Sequence, residues 1–253
     1  AMAALFVEEE KVAAALIGYE DRVAIAALND PTNIVISGEQ RAVHEIVQKF
    51  EAEGVKTKAL TVSHAFHSPL MEPMLDAFEK VVSEIEFRAP KIPLISNLNG
   101  KLLKIENGRW QLEDHDPQFA SFNPRTYYRR HVREAVHFSA SMQTLHELGY
   151  KIFVEIGPHP TLLGMGAKCL PEGYGQWLPS LRKGQNEAQQ IMRSLATLYV
   201  NGVEVDWTGL SREQECRAVS LPTYAFQRER YWFEENKERK SKRAAYRDWL
   251  YQI

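Results

Sequence analysis

The sequence runs to 253 residues, 44% apolar and 25% charged, the profile of a globular protein and not of a disordered chain. With 31 basic against 33 acidic side chains and a formal net charge of -2, it has no overall electrostatic pull toward nucleic acid or an anionic membrane, so local groups must hold any anionic substrate. Cys169 and Cys216 lie far apart without a CxxC neighbour, no stretch approaches the roughly 18 apolar residues of a membrane span, and AMAALFVEEE lacks the pattern of a signal peptide; these features argue against a disulfide scaffold, a membrane span and a secretory leader, and point to a reducing cytoplasm.

Residues 1–62 read as a small lobe. AALFV is strand-like, Glu8 to Ile17 helical, and VAIAAL and NIVIS strand-like again. Ser37 is placed to cap a second helix with Gln40 reaching back, and Val43, Ile46, Val47 and Phe50 form its apolar stripe. Gly54 ends that helix and KTKALTV follows, so the order is β-α-β-β-α-β, the split arrangement of a ferredoxin-like sandwich. Over 63–202 strands alternate with longer helices: a helix from Pro69 to Ile85, IPLIS, a helix from Ser139 to Leu148, KIFVEI, a helix after Pro160, WLPSL, and a helix from Glu187 to Tyr199. These imply a parallel α/β sheet with too few strands to stand as a complete domain. Residues 203–235, aromatic and punctuated by proline, read as an ordered strap, and 236–253, with the charge run ENKERKSKR, as a linker into a further domain.

The cluster Ser63-His64-Ala65-Phe66-His67-Ser68-Pro69 falls where the small lobe gives way to the larger part, a usual place for an active-site groove. Ser68 suits an N-cap and Pro69 a first helical position, with Met71, Met74, Leu75, Phe78, Val81, Val82 and Ile85 on one buried face. His67 is then expected at the positive end of a helix, which disfavours the imidazolium and keeps the ring neutral near pH 7 as a general base requires. A histidine beside a helix start also serves as a structural hydrogen-bonding residue, and the local pattern leaves both readings open. Asn29 in LNDP sits on a strong turn signal. EIGPHPTLLG breaks a strand before a helix start whose free amides suit either an anion or a fold-supporting turn. His44, His115, His137 and His146 read as surface or interface residues, His159 has no evident partner, and no HExxH or Cys/His spacing suggests a metal site.

Five segments, HAFHSPLM, LNDPTNIVISG, YYRRHVREAVHF, FVEIGPHPTL and LPTYAFQRERYW, occur in unbroken order and resemble the second half of the acyltransferase domains of type I polyketide synthases. The resemblance implies a small ferredoxin-like subdomain set on the C-terminal part of an α/β-hydrolase-like subdomain. It also implies that a serine in a GHSxG elbow is acylated by an extender-unit coenzyme A ester, with a histidine at the position of His67 as its base. HAFH, at His64, Ala65, Phe66 and His67, resembles malonyl-selective members, whereas YASH accompanies methylmalonyl; the Phe66 ring would fill the volume of the extra methyl, worth about 1–3 kcal/mol. His131 resembles the position whose backbone carbonyl takes the other ring proton of the catalytic histidine, and Asn29 an asparagine beside the active site.

The same resemblance implies malonyl-CoA as substrate, the phosphopantetheine of an acyl carrier protein domain as acceptor, a ketosynthase domain met through the strap by Tyr224, Phe226, Arg228, Arg230, Tyr231 and Trp232, and no metal or tightly bound cofactor. No GxSxG occurs in the sequence. The expectation is therefore that the N-terminal half of the acyltransferase, with its nucleophile and carboxylate-binding arginine, is missing, and that the chain alone is inactive. A non-catalytic module that docks carrier proteins is the competing reading.

Overall fold

The computed structural model describes residues 1–88, 90–106, 109–112, 124–212 and 219–229. The chain divides into two compact units, Ala1–Val205 and Asp206–Ile253.

The first unit begins with β1 (Met2–Leu5), α1 (Glu9–Ala15), β2 (Val23–Asp30), β3 (Asn33–Gly38), α2 (Gln40–Ala52) and β4 (Thr57–Leu60). Their sheet runs in the order β2-β3-β1-β4 with every pair antiparallel, which is the ferredoxin-like arrangement the pattern predicts. Alternate residues of the strands face the two helices, so Leu5, Val23, Ile34 and Ile36 close on Val12, Val43, Ile46 and Phe50 in one sealed core. Each such aliphatic side chain contributes about 1.5–3 kcal/mol by leaving water. The predicted cap is displaced: Ser37 belongs to β3 with its hydroxyl buried and without a partner among the described residues, and Glu39 occupies the N-cap without a side-chain cap bond among them. β3 continues through Ser37 because its amide and carbonyl face β1 and β2, a stronger claim on the residue than one cap.

β2 carries register shifts at Ile25/Ala27 and Leu28/Asp30. Such irregularities bend and twist a strand at its end. The turn itself is Pro31-Thr32, closed by Asp30 Oδ1 accepting from the Thr32 N–H at 2.9 Å, so Asn29 is a strand residue and not part of the turn proper.

Beyond β4 the predicted helix over 69–85 is two pieces, a 3₁₀ turn (Pro69–Met74) and α3 (Leu75–Ser83), because Pro73 lacks the N–H an α-helix needs there. Met71, Leu75 and Val82 are buried, but Met74, Val81 and Ile85 are exposed, so the buried face is narrower than expected. IPLIS is not a strand of the parallel sheet. β5 (Leu94–Ile95) pairs antiparallel with β6 (Leu102–Glu106), and β6 with β7 (Arg109–Leu112), forming a meander. Its first turn needs Gly100, at φ +70°, where a Cβ would stand 2.5 Å from that of Ala140.

α4 (Pro124–Arg133) and α5 (Phe138–Glu147) follow, then β8 (Ile152–Glu155), α6 (Thr161–Cys169), β9 (Gln176–Pro179) and α7 (Glu187–Val200). β8 and β9 form the parallel pair anticipated from their sequences. In the second unit α8 (Trp207–Ser211) is capped by Asp206, whose Oδ1 accepts from the Gly209 N–H at 2.7 Å, and residues 219–229 are exposed. Tyr224 and Phe226 meet edge-on there with centroids 6.1 Å apart. His115, Cys216, Arg230, Tyr231, Trp232 and the linker 236–253 lie outside the described residues. Among the described residues no helix is long and apolar enough to cross a membrane.

Candidate active site

The loop joining β4 to the 3₁₀ turn carries His64, Ala65, Phe66 and His67. Two bonds from the end of α4 fix His67: its backbone N–H donates to the Val132 carbonyl at 3.0 Å, and its ring Nδ1 lies 2.8 Å from the Glu134 carbonyl oxygen. A carbonyl only accepts, so Nδ1 carries the proton and Nε2 keeps its lone pair. Among the described residues Nε2 has no hydrogen-bond partner, and the side chain is half-buried. The backbone of His67 lies at φ 60°, the one positive value at a described residue other than glycine. A residue held in that region costs of order 1–3 kcal/mol and persists where its surroundings over-determine it, a feature that clusters at functional sites.

The expectation for His131 is corrected. The carbonyl that meets the ring is that of Glu134, three residues on. His131 lies inside α4, where the carbonyl points along the axis; Glu134 is the first residue beyond the helix, so its carbonyl is free to turn toward the loop. Its position is set by the small lobe. Val136 forms a parallel bridge with Ala27, its N–H donating to the Ala26 carbonyl at 2.9 Å and its carbonyl accepting from the Leu28 N–H at 2.9 Å. His137 N–H donates to the Asn97 carbonyl at 2.8 Å, so the segment after α4 is tied on both sides. The irregular end of β2 thus serves as the ruler for the site.

Ser68 does not cap the turn after His67. Its buried hydroxyl donates to the Ala65 carbonyl at 2.6 Å and folds the loop back on itself. The ring of His67 consequently meets the amino end of a short 3₁₀ turn and the carbonyl end of α4 together, in place of the one-sided positive field expected from the sequence. α4 is held against the segment after the loop by arginines: Arg133 to Glu72 at 3.0 Å, and Arg129 to Asp76 at 2.6 Å and Glu79 at 2.8 Å. Such partly exposed pairs contribute little stability each and act here as registration.

Phe66, 43% exposed, tilts against His64 with centroids 5.8 Å apart, while Ala65 is buried. Asn29 is half-buried, and its carbonyl accepts from the Cys169 thiol at 3.3 Å. Cys169 is no evident nucleophile, since burial pushes its thiol up from the usual range. The helix start after EIGPHP is filled from within: Glu155 accepts from the Thr161 N–H at 3.0 Å and the Leu163 N–H at 2.8 Å, taking the amides an anion would need. Among the described residues no group of three or more His, Cys, Asp or Glu side chains could hold a metal ion.

Residues 1–205 match the model of the acyl transferase domain family. The chain is 38% identical over 232 residues to the phenolphthiocerol synthesis polyketide synthase type I Pks15/1 of Mycobacterium marinum, covering 92% of this chain and 10% of that protein. It is 37% identical over 236 residues to polyketide synthase GfsA of Streptomyces halstedii, covering 93% of this chain and 3% of that protein. Among solved structures, the acyltransferase domain from the second module of the salinomycin polyketide synthase superposes with a TM-score of 0.76 at 39% identity, over 89% of this chain and 49% of that one. The acyl transferase domain of ZmaA shares the fold, with a TM-score of 0.71 at 24% identity.

Proposed function

Because the chain belongs to the acyl transferase domain family of the polyketide synthases, we propose that His67 is the general base of malonyl transfer from malonyl-CoA to an acyl carrier protein. The serine it serves is supplied by a part of the domain that this sequence does not contain. One observation carries the reading: the bond from Nδ1 to the Glu134 carbonyl leaves Nε2 of the half-buried ring as the basic nitrogen, without a partner among the described residues. The carbonyl does for this imidazole what the acid does in a triad, fixing the tautomer and accepting from the imidazolium once it forms.

In the first half-reaction Nε2 takes the serine proton as the serine oxygen attacks the malonyl thioester. The carbon–sulfur bond breaks and the coenzyme A thiolate leaves with that proton. In the second half-reaction Nε2 takes the proton of the phosphopantetheine thiol, whose sulfur attacks the serine ester, and the serine oxygen departs and recovers the proton. A base of this kind contributes about 10²–10⁴ in rate only when a nucleophile is in place. Two features fit a domain completed by further residues: the chain spans 49% of the salinomycin acyltransferase structure, and the β8–β9 pair, of a parallel type normally covered on both faces, leaves Val154 45% exposed, with Ile156 just past β8 90% exposed. The strap with Tyr224 and Phe226 is proposed to meet a ketosynthase domain, and Asn29 to line the site.

Phe66 is proposed, with His64 and Ala65, to exclude the methyl of methylmalonyl. In an enzyme reconstituted with the absent half, Phe66→Ala should lower the preference for malonyl over methylmalonyl by about 10–200-fold, read by competition between the two coenzyme A esters. An unchanged ratio would remove Phe66 from the selectivity assignment. Incubated alone with radiolabelled malonyl-CoA, the chain should retain no label after denaturation; label on a serine or on His67 would overturn the division of the site.

A further inference from the structure

α4 gives the site more than two carbonyls. Tyr127 and His131 lie four residues apart, on one face of the helix, and their rings stack with centroids 5.8 Å apart and planes at 24°. His131 in turn meets His67 edge-to-face, centroids 5.9 Å apart and planes at 80°. Behind Tyr127, the hydroxyl of fully buried Ser96 donates to Tyr127 Oη at 3.3 Å and itself accepts from the Leu98 N–H at 3.2 Å. The column Ser96, Tyr127, His131, His67 is thus fixed at its buried end and finishes on the ring whose Nε2 is open.

A single hydrogen bond at Nδ1 fixes one atom of an imidazole but leaves the ring free to tilt about it; packing against the ring plane removes that freedom. We propose that His131 is a positioning residue: its imidazole is the wall that holds the His67 ring in the orientation keeping Nδ1 on the Glu134 carbonyl and Nε2 open. Its value to catalysis rests on His67 being the base, whereas the ring orientation itself is measurable without turnover.

The charges around the column suit that role. Burial first, and then the nearby charge of His67, pull His131 below the usual imidazole range, so it adds no second positive ring beside His67. Tyr127 is pushed up by burial and stays a neutral phenol. The charged side chains beside His131 on α4 are paired: Arg130 with Glu134 through Nη2 at 2.7 Å, and Arg133 with Glu72 of the 3₁₀ turn at 3.0 Å. On the loop, His64 is exposed, with Nδ1 3.1 Å from Ser63 Oγ.

The test is imidazole nitrogen NMR on the full 253-residue chain. In the wild type at alkaline pH, where an imidazole is neutral, long-range proton–nitrogen correlations should show His67 as one Nδ1–H tautomer. His131→Leu, which keeps volume and helix propensity but removes the ring, should collapse the two separated nitrogen signals of His67 toward the averaged pattern of two tautomers. His131→Phe should restore the separation, and His67→Gln should raise the titration midpoint of His131. A His67 pattern unchanged in His131→Leu would overturn the proposal. So would a His131→Phe variant as averaged as the leucine variant, in a chain whose backbone amide spectrum is otherwise native. If His131→Leu fails to fold, Tyr127→Leu takes its place with the same two outcomes. A reconstituted enzyme indifferent to His67→Ala would refute the function and leave this inference standing.

Discussion

Residues 1–62 and the part of the first unit that follows bury their apolar surface in different ways. In the small lobe Leu5, Val12, Ile36 and Ile46 are wholly enclosed between one sheet and two helices. In the larger part the two-stranded β8–β9 pair packs its own Phe153 and Trp177 against Met142, yet Ile156, just beyond β8, stands 90% exposed. The closed lobe supplies rigid reference points, and the open one leaves apolar side chains such as Val154 and Ile156 facing outward. The site draws on both, because the Glu134 carbonyl that orients His67 is held through Val136 on the edge of β2.

That contrast breaks most easily at the cores. Ile36→Ala should cost about 2–5 kcal/mol in denaturant unfolding, since it opens a cavity in a sealed core. Ile156→Ala should change stability by no more than about 0.5 kcal/mol in this chain. Equal losses at the two positions would abolish the distinction. Glu155→Ala removes the carboxylate that satisfies two amides at the start of α6, and a loss of about 1 kcal/mol is expected by the same measurement.

A smaller effect concerns acid. The folded-state value of His131 is lowered, so as pH falls the unfolded chain binds that proton first. Its contribution to stability is present above the ordinary imidazole value of about 6.5 and is lost as pH falls through the lowered folded value. His131→Phe should therefore flatten this part of the acid limb in unfolding curves taken at successive pH values. An identical limb would place the acid sensitivity elsewhere.

The small lobe was legible because its strands alternate and its α2 stripe repeats at helical spacing, two periods that differ plainly over Val23 to Phe50. The place of His67, on the loop between the small lobe and the helical turn that follows, was legible from the residues around it. The Glu134 carbonyl was not, since every residue carries a carbonyl and only the end of α4 decides which one turns toward the ring. The meander was missed for a different reason: IPLIS is apolar in the manner of a buried parallel strand, and the Asn107-Gly108 pair between LLKIE and RWQL, a hairpin signal, was the feature that could have found it. Ser37 and Ser68 show a shared failure, because a hydroxyl in a cap-like context was claimed by the β3 ladder in one case and by the Ala65 carbonyl in the other.

The most direct test of His67 as the base is the rate of serine acylation by malonyl-CoA in an enzyme assembled from this chain and a polypeptide supplying the proposed serine, compared between wild type and His67→Ala. The account predicts a fall of about 10²–10⁴ with association of the two parts unchanged. Acylation at the wild-type rate by the alanine variant would contradict it.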